Sequence, residues 1–458
     1  MSVGSFPADP AFPQLKIATD PSLMKQTFRT HLRPVGPKVY DIEDCRLIRL
    51  RYRQDSRFFL LYTLRLVEPD TGRERDVQVT GLIYAEKDKA EHTWRKLKAT
   101  DPQQEIPDGW LTFEPVSFVP ELGMLVQVFP YDHRLPTLPL VTAGPPPELE
   151  PVLLGRFGPG DWRVQAWKVE PVRYLDRGVV LRYTARARNA ATGVSREKSF
   201  YAKVYRYKKA EQTYQALRAL WSQAGANGDA FTVVRPLAYL SDLRALILEE
   251  APGTPLDEIL LGDGDTTRAV RRVARALAAF NQGDAPQTAR QYLLADHAAY
   301  LERAARVLGW GCPHLRLEVE SILEGVLAGL QEVPLRPTHR DLKADHIFLD
   351  GERTIFIDLD MFARADPVLD PARLLTRFAA MPALFPISRD RARAAGREFA
   401  EEYFAHVPGA WQERLPFHYA GTLLKTADGF FRRQVPDWPG RIAGLLEEAR
   451  DSLAGKVW

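Results

Sequence analysis

The sequence predicts an α+β chain, antiparallel sheet in its first half and helix in its second, on three observations. Residues 58–84 align without a gap on residues 179–205, an internal duplication at an offset of 121 residues. From about residue 265 the apolar residues recur at i, i+3, i+4 and i+7, the spacing of one helix face. A single strand-like passage, residues 338–362, interrupts that helical half.

The duplication pairs Tyr62 with Tyr183, Thr63 with Thr184, Arg65 with Arg186, Thr71 with Thr192, Gly72 with Gly193, Arg75 with Arg196 and Tyr84 with Tyr205. After a slip of one residue, AEHTWRKLKA (90–99) matches AEQTYQALRA (210–219); the offset then returns, pairing Pro115 with Pro236 and Leu125 with Leu246. Each copy reads as strands around a Thr-Gly turn, a further strand, a helix opening near Ala90 or Ala210, and two more strands. In the back half, TTRAVRRVARALAAFNQG and HLRLEVESILEGVLAGLQEV are amphipathic helices. Within residues 338–362, two short β-branched and aromatic runs flank Asp350-Gly351, the pattern of a hairpin.

The 458 residues carry 62 Lys+Arg against 59 Asp+Glu, a formal charge of +3, without a long run of one sign. That balance argues against nucleic acid or a membrane surface as partner. The two cysteines, Cys45 and Cys312, form neither a disulfide framework nor a cysteine zinc site and suit a reducing compartment. The start, MSVGSFPADPAFPQLK, lacks a basic segment followed by an apolar core, and no stretch reaches about 18 uninterrupted apolar residues. The expectation is a soluble, cytoplasmic protein with two to four domains at about 100–200 residues each.

The chemistry concentrates in His339-Arg340-Asp341-Leu342-Lys343-Ala344-Asp345-His346, which fits the template H-x-D-x-x-x-x-N except that histidine takes the last place. Here the sequence resembles the kinase superfamily, whose phosphoryl transfer asks for positioning and charge stabilisation; the resemblance implies a carboxylate at the substrate hydroxyl with a metal ligand beside it. Asp341 and His346 fill those places. Seventeen residues beyond Asp341, the strand Ile355-Phe356-Ile357 delivers Asp358 and then Asp360, carboxylates for a metal. One aspartate before a hairpin is ordinarily a turn residue or a helix cap, whereas these elements in order are far more specific.

The loop resembles that of the kinase superfamily. Its continuation, Asp366-Pro367-Val368-Leu369-Asp370-Pro371-Ala372-Arg373-Leu374, resembles the D-P-x-x-D-x-A-x-L tail of the aminoglycoside phosphotransferase and choline kinase branch. The resemblance is strongest over about residues 165–375. It implies a protein-kinase-like bilobal fold, an antiparallel β N-lobe plus a helical C-lobe, preceded here by a degenerate duplicate of the N-lobe. The expected division is 1–147 as a cap, 148–253 as the nucleotide-binding N-lobe, and 254–458 as the C-lobe with catalytic loop, metal site and acceptor site.

The same resemblance implies ATP as donor and Mg²⁺ as cofactor, with Mn²⁺ as the alternative. Asp341 is then the base, Lys343 the cation beside the transferred phosphoryl, and His346, Asp358 and Asp360 the metal ligands. Lys203, in Phe200-Tyr201-Ala202-Lys203-Val204-Tyr205, would hold the α- and β-phosphates and be held by Glu211 on the next helix; the alternative is a strand-edge lysine in water. Leu248 would line the adenine pocket, with backbone groups of Glu249 to Ala251 bonding the base; an ordinary strand-to-helix connection fits that composition equally. In the first copy Leu82 stands where Lys203 stands in the second, and no catalytic loop follows.

Three departures stand out. His346 replaces the usual asparagine, and because Mg²⁺ prefers oxygen it favours Mn²⁺ or weakens one metal site. Arg340 stands where this branch usually has glycine. The turn Glu170–Gly178 lacks G-x-G-x-x-G, which favours the small-molecule branch over protein kinases. The acceptor region, residues 385–435, is mixed: Glu398, Glu401 and Glu402, then Phe417-His418-Tyr419, Lys425 and Asp428. The function implied is ATP-dependent phosphoryl transfer to a hydroxyl of a small molecule, a sugar, amino sugar or amino alcohol. A nucleotide-binding pseudokinase with a protein partner on the N-terminal domain is the alternative; a Ser/Thr protein kinase rests on HRDLK alone.

Overall fold

A computed structural model describes residues 9–35, 39–53, 56–175, 177–207, 209–226 and 231–457. Asp176, in the turn that lacks the glycine pattern, lies outside the described residues. The chain folds as two compact units, one of Met1–Lys208, Leu237–Ile247 and Arg432–Pro436, the other of Lys209–Pro236, Leu248–Phe431 and Asp437–Trp458. Among the described residues no helix is long and apolar enough to cross a membrane.

The first unit holds both copies of the duplication. Helices α1 (Leu15–Ala18) and α2 (Pro21–His31) precede strands β1 (Asp41–Arg53), β2 (Arg57–Val67) and β3 (Glu74–Tyr84), helix α3 (Lys89–Lys98), and strands β4 (Val116–Val119) and β5 (Met124–Val128). The sheet order is β1-β2-β3-β5-β4. After α4 (Leu138–Thr142) and α5 (Glu150–Leu154), the second copy supplies β6 (Trp162–Leu175), β7 (Gly178–Asn189) and β8 (Ser195–Tyr205). β9 (Thr232–Val233) belongs to the other unit, and β10 (Pro236–Leu240) and β11 (Ala245–Glu249) complete the order β10-β11-β8-β7-β6.

Register repeats with sequence. Arg57 pairs with Tyr84 across β2 and β3, and Gly178 with Tyr205 across β7 and β8, the same partners 121 residues on. Gly72 (φ 65°) and Gly193 (φ 71°) both turn through the left-handed region that glycine enters without steric cost. The Tyr62 hydroxyl donates to the Ala18 carbonyl at 2.5 Å, and its duplicate Tyr183 donates to the Val141 carbonyl at 2.7 Å. Each central tyrosine therefore ties down the short helix ahead of its own sheet, and the repeated unit includes that helix.

The two sheets share one apolar core. Phe59, Leu61, Leu82 and Leu125 of the first copy and Leu181, Tyr183, Phe200 and Ile247 of the second are buried in a single cluster. The Phe129 and Tyr174 rings meet across the copies at 5.8 Å, edge to face. Leu82 is fully buried there. An ammonium at that place would lose its hydration without a partner, at a cost of several kcal/mol. The charge buried in this unit is paired instead: Arg134 donates to both oxygens of Asp132 at 2.9 and 2.7 Å, and the Tyr174 hydroxyl donates to the same carboxylate at 2.8 Å.

The second unit is built from α6 (Lys209–Ala226), α7 (Leu256–Leu261), α8 (Thr266–Gln282), α9 (Leu294–Gly311), α10 (Arg316–Gly329), α11 (Leu369–Ala380), α12 (Arg389–Ala405), α13 (Gly409–Arg433) and α14 (Trp438–Leu453). α8 shows why such segments are helical. The Asp265 side chain accepts from the Arg268 N–H at 2.9 Å, capping the first turn, and Val270, Val273, Ala274 and Leu277 form a buried stripe. Its outer face pairs with α12, Arg271 with Glu398 at 2.7 Å and Arg275 with Glu402 at 2.8 Å. Those carboxylates, candidates in the acceptor region, bind helix to helix.

Strands β12 (Thr254–Pro255), β14 (Ile347–Asp350) and β15 (Arg353–Phe356) with β9 make a four-stranded sheet, and β13 (Arg336–Thr338) pairs with β16 (Ala363–Ala365). The β14–β15 hairpin turns at Asp350-Gly351, Gly351 having φ 51°, as its composition predicts.

Candidate active site

The segment from His339 to His346 leaves β13 and enters β14, and a buried carboxylate bends it. Asp370, in the first turn of α11, accepts the His339 N–H and the Arg340 N–H, each at 2.7 Å, and the Asn281 amide at 3.0 Å. Asn281 in turn accepts from the Tyr403 hydroxyl at 2.9 Å. Burial pushes the Asp370 carboxyl up, and the hydrogen bonds from Asn281, His339 and Arg340 oppose it. Drawing two successive N–H groups onto one carboxylate puts Arg340 at φ 66°, in the left-handed region where a side chain is strained.

Asp341 follows at once, between two cations. Lys343 Nζ donates to its Oδ2 at 3.0 Å, and Arg373 Nη1 stands 3.7 Å from Oδ1. Burial disfavours the ion, but Lys343, Arg373 and His346 outweigh it and hold the carboxyl well below the usual range. Arg373 also donates through Nε to the Arg340 carbonyl at 2.7 Å and through Nη2 to the Tyr300 hydroxyl at 3.3 Å.

His346 is buried, and the tautomer follows from its partners. Nδ1 lies 3.0 Å from the Asp341 carbonyl, which can only accept, so Nδ1 carries the proton and Nε2 the lone pair. Nε2 lies 3.4 Å from Asp358 Oδ2 and 3.4 Å from Lys343 Nζ. Burial and Lys343 push its pKa down to about 4 against Asp358, Asp345 and Asp341, so the ring is neutral at pH 7. Asp358 turns with φ 61° at the end of β15, which aims its carboxylate back at the loop.

One ligand atom from each of Asp341, His346 and Asp358 lies within 4.8 Å of the others. Two carboxylate oxygens and one imidazole lone pair fit a divalent cation of the Mg²⁺ or Mn²⁺ kind. Asp360 is exposed, two residues on, and is not in this group.

The nucleotide candidates are placed as follows. Lys203 is half-buried in β8 opposite Val180, in the first unit. In the second unit Glu211 is exposed in the first turn of α6, Leu248 is buried near the end of β11, and Glu249 and Ala251 are half-buried. The Glu249 N–H donates to the Arg235 carbonyl at 3.0 Å. Gly253 follows with φ 91°, where a Cβ would stand 2.3 Å from the Leu349 carbonyl oxygen; only glycine passes β14 this closely.

Sequence reasoning missed Asn281, Tyr292, Tyr300 and the role of Arg373. A polar residue on the apolar stripe of α8, four after Leu277, was the signal for Asn281; Arg373 gave none. Of the acceptor-region residues, His418 Nε2 lies 2.9 Å from Asp366, which Arg414 grips with two bonds of 3.0 Å, and Lys425 bonds Asp428.

A loop that brings Asp341 and His346 to the strand-borne Asp358, set in an α+β chain of this order, is the arrangement of a protein-kinase-like fold. The chain belongs to the phosphotransferase enzyme family, whose model matches residues 182–414, just over half of its length. Similar solved structures include a choline kinase from Cryptosporidium parvum Iowa II (10% identity, 63% of this chain and 89% of that one, TM-score 0.43). Others are a choline/ethanolamine kinase family protein from Mesorhizobium loti (15%, 69% and 92%, 0.42) and a thermostable mutant of an aminoglycoside phosphotransferase (15%, 67% and 98%, 0.44). No curated protein matches the chain. The resemblance read from the loop and the D-P-x-x-D tail is thus borne out.

Proposed function

We propose that the chain transfers the γ-phosphoryl group of ATP to a hydroxyl of a small molecule. The convergence of Asp341, His346 and Asp358 in one loop site carries this reading. The acceptor oxygen attacks the γ-phosphorus in line, the bond to the bridging oxygen breaks, ADP leaves, and the hydroxyl proton passes to the Asp341 carboxylate. No phosphoenzyme forms. With cations on both oxygens Asp341 is a weak base, which suits a loose transition state in which it orients the hydroxyl and takes the proton late.

Asp358 and His346 would hold Mg²⁺ or Mn²⁺, with Asp360 beside them. Such an ion supplies neutralising charge for the phosphates. Lys343 adds positive charge next to the transferred group. Lys203 would serve the α- and β-phosphates, and Leu248 would line the adenine. Since the Glu249 N–H is engaged by Arg235, its carbonyl and the Ala251 backbone serve the base in this reading. Residues 1–147 act as a cap that binds no nucleotide, because Leu82 replaces the phosphate lysine.

A nucleotide-binding pseudokinase is the second reading, favoured by the Lys343 ammonium set against the His346 lone pair. The test is ATP consumption with Mg²⁺ and with Mn²⁺ across sugars, amino sugars, choline and a generic protein substrate, with Asp341→Asn as blank. Turnover lost in Asp341→Asn by about 10²–10⁴-fold is expected. ATP binding without Asp341-dependent turnover would favour the second reading.

A further inference from the structure

Arg340 is the most costly residue of the loop. It is non-glycine at φ 66°, and such strain persists where the surroundings or the function hold it. Its guanidinium carbon lies 3.3 Å from the centroid of the Tyr292 ring, and Nη1 donates to the Met361 carbonyl at 3.1 Å. Among the described residues no carboxylate forms an ion pair with its side chain. The nearby acids are already occupied: Asp341 by Lys343 and Arg373, Asp366 by Arg414 and His418, Asp428 by Lys425, and Asp370 by backbone N–H groups.

The cations gather around this point. The Arg364 N–H donates to the Arg290 carbonyl at 2.8 Å and the Tyr292 N–H to the Arg364 carbonyl at 2.9 Å, so two backbone bonds bring Arg290, Tyr292 and Arg364 beside one another. Arg373 links this group to the base, since the same side chain bonds the Arg340 carbonyl and faces Asp341.

We propose that the phosphoryl acceptor is an anion, an alcohol that already bears a phosphate or carboxylate group, and that Arg340 binds that group while Asp341 takes the hydroxyl. This rests on the phosphotransferase reading and names its substrate class. A guanidinium offers a planar pair of donors that matches both anions. An amino sugar or quaternary amine would instead meet Arg340 and Arg373 with like charge, a juxtaposition that selects against it.

The experiment compares small alcohols of different charge: glycerol 3-phosphate, glycerol and choline, then gluconate 6-phosphate, glucose and glucosamine. Binding to the full chain carrying a non-hydrolysable ATP analogue is measured by calorimetry, and transfer from ATP by mass spectrometry of the products. The anionic member should bind at least about tenfold tighter than its neutral counterpart, a margin that Arg340→Met removes and Arg340→Lys partly keeps. Equal or tighter binding of the neutral or cationic member, a margin that survives Arg340→Met, or no binding of any anion overturns the inference. Asp341-dependent transfer to a neutral or cationic member would sink this inference and leave the kinase reading standing. Arg340-dependent anion binding without Asp341-dependent transfer would keep Arg340 as an anion site but sink the kinase reading and, with it, the acceptor role proposed here.

Discussion

Asp370 lies buried beneath Arg340 and accepts its backbone N–H at 2.7 Å, with the N–H of His339 at the same distance. The loop from His339 to His346 is therefore shaped by a carboxylate that lies outside the Asp341, His346 and Asp358 group.

Removing that carboxylate should collapse the loop rather than merely weaken it. Asp370→Ala leaves the His339 and Arg340 N–H groups and one of the two Asn281 amide N–H groups without an acceptor, the other still bonding the Pro337 carbonyl, and each unsatisfied group costs about 1–3 kcal/mol. A loss of about 3–5 kcal/mol in urea unfolding is expected, with turnover lost. A loss below about 1 kcal/mol would show that water replaces the carboxylate.

The metal preference should depend on His346. Its Nε2 lone pair faces Asp358, and nitrogen suits Mn²⁺ better than Mg²⁺. His346→Asn substitutes an oxygen ligand and should raise Mg²⁺ affinity relative to Mn²⁺, read by metal titration in the presence of ADP. An unchanged ratio would make His346 a structural residue that closes the loop through its Nδ1 bond to the Asp341 carbonyl.

Much of this site was legible because spacing along one loop and one hairpin sets it. Asp341, His346 and Asp358 come together as H-x-D and the strand-borne aspartate imply, and the hairpin at Gly351 turns where Asp-Gly predicts. What sequence could not convey is contact between distant segments. Asn281 reaches Asp370 across 89 residues, and Arg373 reaches Tyr300 across 73, with no local pattern to announce either. The duplication was plain in the strands, yet its extension to α1 and α4 appears only through the hydroxyls of Tyr62 and Tyr183. Those helices bond through backbone carbonyls, which leave no residue signature.

Acid should unfold the protein through its buried histidines. His297 is buried, lies 5.6 Å from the His418 ring, and burial, His418, Arg373 and Arg340 push its pKa down to about 3 despite Asp366. His133, in the other unit, is pushed down to about 4, chiefly by burial. Both are neutral when folded and protonate near 6.5 when unfolded, so stability is full above that pH and falls below it. Each histidine contributes a slope of about 1.4 kcal/mol per pH unit between its unfolded and folded values. Urea midpoints should hold between pH 7 and 8 and drop steadily from 6.5 to 4. His297→Asn should flatten part of that decline; an identical slope would mean the ring titrates normally.

The first copy should not accept the residue it lacks. Leu82→Lys restores the phosphate lysine of the second copy in sequence, but places an ammonium in the core shared by Phe59, Leu125 and Leu181. A buried unpaired charge either shifts to its neutral form or unfolds its surroundings, a destabilisation of about 3–5 kcal/mol. Leu82→Met, of similar volume, should cost under about 1.5 kcal/mol. Nucleotide titration of the Leu82→Lys protein should show no second site. An added site would mean that the face of the first sheet opens, and that its apolar filling conceals a pocket the duplication has kept.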